Sequence, residues 1–233
     1  TPASAILEVR EGDFFGRRAR QDGKPIAPAM AYIPRGLDNS SGGQLFVDSN
    51  GWGPLRDKLL HFSFGAGTWM MVLEDEDGGS GRTQGAIVPL PGDFESGAHR
   101  AAFAPHDGQL YVVGSDGWGN YAITDGSLAR VRFLADRPVH LPVAWKAYRN
   151  GILLTFAQPV SGPSADRFFC QAWNYEYGDH YGSPEYSVTR PGVVGHDAVK
   201  VHDTHLVDGG RSVFLSIPTL RPSMQFHLFG TLD

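Results

Sequence analysis

The chain has 233 residues and a formal net charge of −5, from 20 Lys+Arg against 25 Asp+Glu. That length suits one large or two small domains with a real core, and the lack of a basic tract argues against nucleic acid as a partner. No apolar run approaches the ~18 residues of a spanning helix, and one cysteine, Cys170, leaves neither an internal disulfide nor a CxxC metal or redox site.

Thirty glycines and 16 prolines, spread without a period among aromatics, predict many tight turns. The opening TPASAILEVREGDF lacks the charged start and apolar core of a signal peptide, as a mature end or an arbitrary boundary would. Strand-like runs then follow in order: AMAYIP (29–34), QLFV (44–47), HFSF (61–64), WMMVLE (69–74), GAIVPL (85–90), RAAFAP (100–105), QLYVV (109–113) and ARVRF (129–133). Each is bounded by Gly, Pro, Asp or Asn, and no twelve-residue stretch keeps a helical period without Gly or Pro. HDGQ, TDGS, RNGI and VDGGR supply hairpin turns, because Gly and Asn accept the positive φ of short loops.

One repeat organises the first half. GQLFVDSNGWG (43–53) returns as GQLYVVGSDGWG (108–119), and each copy precedes a second strand, KLLHFSF (58–64) or SLARVRF (127–133). A duplicated strand–turn–strand unit predicts propeller-blade-like sheets, with one unit over 20–83 and another over 84–137, separated by the acidic turn EDEDGG (74–79). After RPVHLP (137–142), five strand-like runs at sandwich spacing, from GILLTFAQPV to MQFHLF, predict an immunoglobulin-like fold. The expected fold class is therefore all-β, with blade-like antiparallel repeats in residues 1–137 and an immunoglobulin-like β-sandwich in 138–233. Two blades cannot close a propeller, so the apolar strands need cover from the sandwich or from a partner. Burial of Phe46, Phe62, Tyr111 and Val131 within the chain would mark a self-contained protein, and the chain is long enough to provide it.

YIPRGLDNSSGGQLFV (32–47), WGPLRDKLLHFSFG (52–65), GDFESGAHRAAFAPHDGQLYVVGSDGWG (92–119), WNYEYGDHYGSPEYS (173–187) and GHDAVKVHDTHLVDGGRSVFL (195–215) together carry a likeness. They resemble the C-terminal region of large secreted or periplasmic proteins of planctomycete- and verrucomicrobia-type bacteria. Those proteins combine a propeller similar to quinoprotein sugar dehydrogenases with an immunoglobulin-like segment and often a c-type haem domain. The resemblance runs from about Gly12 to Leu228 and implies a periplasmic or secreted location within a redox-associated system. No CxxCH motif is present for c-type haem attachment. The quinone-binding and catalytic-base positions of the dehydrogenases match no residue here.

Several constellations carry candidate chemistry. Trp52 and Trp118 sit in equivalent Gly-flanked turns beside Asp48 and Asp116, an arrangement that either stacks a sugar or plugs the gap between blades. The aromatic run 173–186, with Trp173, Tyr175, Tyr177 and Tyr181, reads as a ligand loop or as a packed docking loop. His196, Asp197, His202 and His205 are weak metal candidates, since strand alternation points His202 and His205 to opposite faces. The turn 75–78 could take Ca2+ but lacks EF-hand spacing, so no cofactor is assigned. Asp93, Glu95, Asp116 and Glu185 are the carboxylates available for glycoside chemistry, with nothing to favour a pair. Cys170, among Phe168, Phe169 and Ala172, reads as a buried inert thiol. The expected function is an extracytoplasmic accessory module that binds carbohydrate or another protein subunit. The alternatives are a quinoprotein-like or carbohydrate-active enzyme fragment and a structural subunit of a larger complex.

Overall fold

Short aromatic and β-branched runs broken by Gly and Pro leave no length in which a helix can propagate, so backbone groups must pair between segments. The computed structural model describes residues 4–16, 23–76, 81–117, 119–178 and 182–232. It is all-β, 43% strand and 6% helical, the helix being short 3-10 turns, and among the described residues the sheets are antiparallel and form no closed barrel.

The strands are β1 (Ser4–Ile6), β2 (Ala31–Ile33), β3 (Ser41–Phe46), β4 (Leu59–Ser63), β5 (Trp69–Glu76), β6 (Thr83–Pro89), β7 (Gly97–Phe103), β8 (Leu110–Ser115) and β9 (Gly126–Val131). They continue as β10 (Pro142–Tyr148), β11 (Gly151–Phe156), β12 (Phe168–Trp173), β13 (Asp197–Val199), β14 (Asp203–Val207), β15 (Ser212–Ser216) and β16 (Gln225–Gly230). Two compact units divide them: residues 33–74 with 85–141, and residues 1–32, 75–84 and 142–233.

The first of these units holds the meander β3-β4-β5-β6 and the three-stranded sheet β7-β8-β9. Leu59, Leu60, Phe62, Met70, Met71, Val72 and Leu73 are buried, so both faces of β4 and β5 are covered. The GlyGly step of β3 answers a close approach. A Cβ on Gly42 would lie 2.2 Å from the Ala98 carbonyl oxygen of β7, so only glycine fits there.

The repeat falls on these sheets unequally. Its first copy supplies β3, which opens a meander, whereas its second supplies β8, the middle of three strands. GAIVPL, expected to open the second unit, lies in β6 and completes the first sheet beside β5. The acidic segment between β5 and β6 thus joins neighbouring strands instead of separating sheets. Phe62 is fully buried, but Tyr111 and Val131 are half-buried and Phe46 is 55% exposed. Phe46 lies in an edge strand, and its neighbour Val47 takes the buried side.

The other unit holds two larger sheets, β10-β11-β15-β14 and β13-β12-β16, and the short β1-β2 pair. Ile152, Phe156, Val213, Leu215 and Ile217 meet Cys170 and Val201 in one core, flanked by Phe226 and Leu228. Residues 1–32 group with this unit although they stand at the opposite end of the sequence. Tyr32 of β2 packs with Trp173 and Tyr175, its ring 5.3 Å from that of Tyr175, and its hydroxyl is 2.9 Å from the Tyr177 hydroxyl.

Candidate functional site

Trp52 is held by a 3-10 turn (Asn50–Leu55) directly after β3, and Gly53 releases the chain at φ 50. The indole is 1% exposed, edge-on to Phe103 at 5.2 Å and stacked with Phe133 at 5.8 Å. Its N–H donates to the Gly108 carbonyl at 3.0 Å, and the Ser49 hydroxyl donates to the same oxygen at 2.8 Å. The turn of the first repeat copy is therefore hydrogen-bonded to the first residue of the second. A ring enclosed on both faces offers nothing for a sugar to stack on, so Trp52 is an internal plug.

Trp118 and Tyr181 lie outside the described residues. Asp48 and Asp116 are exposed, and Asp116 accepts from the Gly117 amide at 2.6 Å. Trp173 and Tyr175 are buried beside Tyr32, and Tyr177 is half-buried against the Tyr32 hydroxyl. Burial pushes the Tyr175 phenol up to about 12 and raises that of Tyr32 further. The described part of the aromatic run is thus a packing anchor for the N-terminal segment.

The weak metal candidates have separate partners. His196 Nε2 is 2.5 Å from the Glu185 carboxylate, and the imidazole stacks on Trp173 at 4.0 Å. Asp197 accepts from Ser187 Oγ at 2.6 Å, the Thr189 amide at 2.7 Å and Thr189 Oγ1 at 3.0 Å. The Ser187 bond leads the bonds that hold its carboxyl below the usual range. His205 is 3.4 Å from Asp203, and His202 is exposed. Among the described residues no three His, Cys, Asp or Glu side chains form a metal-holding group. Of the acidic turn, Asp75 is 3.7 Å from Lys146 Nζ, and Asp77 and Gly78 lie outside the described residues. Asp93 and Glu95 are exposed, and the Glu95 backbone carbonyl accepts from Ile123 and Thr124.

Two constellations join residues that the sequence leaves apart. Asp38, fully buried, accepts from Ser41 Oγ and Ser63 Oγ at 2.7 Å each, from the Ser40 amide at 3.1 Å and from His61 Nε2 at 3.1 Å. Burial alone would raise its carboxyl, but the bonds from His61, Ser41 and Ser63 outweigh it and hold it low. Both serines point at the carboxylate and neither at the imidazole, so no nucleophile is activated and the cluster is a structural tie. The second constellation, Glu185–His196–Trp173, is a carboxylate-oriented imidazole at the surface. Asp38 lies in the connection before β3, and Glu185 and His196 lie between β12 and β13, so no strand periodicity marks either group.

One face of the β7-β8-β9 sheet is open to solvent. Arg100, Val113 and Leu128 are cross-strand neighbours, as are Ala102, Tyr111 and Arg130. Alternation puts these six on one face, and Leu128 is 70% exposed there. Val113 is also exposed, as are Tyr121 and Ile123 in the following loop. Comparison with protein-family models, curated proteins and solved structures returned no match.

Proposed function

We propose that this chain is a non-catalytic docking module of an extracytoplasmic, redox-associated protein, and that it binds a partner protein through the outer face of β7-β8-β9. The observation that carries this reading is the exposed Val113–Leu128 pair, set on ordered strands and flanked by Arg100, Arg130 and Tyr111. Apolar residues ringed by Arg and Tyr are the composition of binding hot spots. The partner chemistry it fits is an apolar side chain flanked by carboxylates.

In finer terms, the meander β3-β4-β5-β6 has the four strands of a propeller blade. The orders β10-β11-β15-β14 and β13-β12-β16 parallel the A-B-E-D and C′-C-F strands of an immunoglobulin-like sandwich. Protein docking is favoured over carbohydrate because Trp52, Trp173 and Tyr175 are enclosed while the exposed sheet face carries aliphatic and Arg side chains. Tryptophan fluorescence titrated with soluble polysaccharides, and dye-linked aldose oxidation after quinone and Ca2+ addition, test the reading together. Neither is expected to respond. Saturable quenching would move the function to carbohydrate, and robust turnover would make the chain an enzyme.

A further inference from the structure

The four edge strands of the 142–233 sandwich are protected unequally. β10 carries Pro142 and Lys146 and breaks register between Pro142 and Ala144. β14 begins with Asp203, and its Thr204 hydroxyl is tied to the Pro163 carbonyl at 3.0 Å. β13 is only three residues long and holds Asp197. Charges, prolines, bulges and shortness are the devices that keep a sheet edge from pairing with another chain.

β16 has none of them. Its sequence, QFHLFG, pairs with β12 over all six residues, and among the described residues no strand lies on its other side. Phe229 is 62% exposed, and its cross-strand neighbour Phe169 on β12 is also exposed. On the opposite face Phe226 and Leu228 pack toward the core. The strand therefore offers backbone donors and acceptors with apolar side chains on both faces and no formal charge to oppose a copy of itself.

We propose that two copies of this chain join edge to edge through antiparallel pairing of β16 with β16, independently of the β7-β8-β9 docking face. A two-fold axis at His227 sets Phe226 opposite Leu228 of the second copy on the core side. On the outer side it sets Phe229 opposite Gln225 of the second copy, so apolar and polar faces stay continuous across a six-stranded sheet. A five-residue ladder, 225–229 on each copy, with one exposed Phe229 from each, is smaller than a standard interface, so the dimer forms reversibly with concentration.

Sedimentation velocity of the full chain across a concentration series, paired with hydrogen exchange, tests this. The expected result is an average mass rising toward twice the monomer, with slower exchange in 225–230 at high concentration. Phe229→Lys, at an exposed position, should remain monomeric and keep the parent's melting temperature. A monomer at every concentration would overturn the proposal. So would a dimer that Phe229→Lys leaves intact, or one that forms without any change of exchange in 225–230.

Discussion

Replacing Trp52 with alanine removes a fully enclosed indole and leaves the Gly108 carbonyl with one donor fewer. The expected cost is about 3–5 kcal/mol, which for a chain of this length lowers Tm by on the order of 10 °C in a thermal melt. Gly42→Ala drives a methyl into the Ala98 carbonyl and should cost about 1–3 kcal/mol by denaturant titration. Asp38 makes stability depend on acid. Its folded carboxyl lies below its unfolded value, so the stabilisation is complete above about pH 4 and is lost as pH falls through the lower folded value. Asp38→Asn should therefore be less stable than the parent at neutral pH and lose less on acidification. Cys170 is buried and its thiol is pushed up to about 11 by that burial, so iodoacetamide should label it only after unfolding.

At the level of elements, strands were legible because alternation and punctuation are local, while sheet membership was not. GAIVPL reads as the start of a second unit because it leads toward the second GQL strand as AYIP leads toward the first, yet it forms β6 and pairs with β5 in the first sheet. The repeat was visible as text, but pairing partners depend on which strand comes before each copy, and the sequence carries no local signal of that. Trp52 and Trp118 stand at matching places of the sequence repeat, but what Trp52 does depends on Phe103 and Phe133, some fifty and eighty residues away. The aromatic run beginning at Trp173 likewise owes its burial partly to Tyr32, from the far end of the chain. On the β7-β8-β9 sheet, Leu128→Lys should leave the unfolding free energy within about 0.5 kcal/mol of the parent in a denaturant titration, because that side chain buries little.

Across the whole molecule, composition alone fixed the class, since Gly and Pro at this density leave no room for long helices. A far-UV spectrum should accordingly be dominated by strand. The organisation into units is less linear than a cut near residue 138 would make it, since residues 1–32 and 75–84 group with 142–233. The central claim is that the outer face of β7-β8-β9 docks a partner protein. It is tested most directly by placing a photo-reactive amino acid at Leu128 in the producing cells and identifying any adduct by mass spectrometry, with the exposed Lys200 as the control position. The account predicts one discrete protein adduct at 128, lost when Val113 and Arg130 are both replaced by glutamate, and none at 200. No adduct at 128, or the same products at both positions, would contradict it.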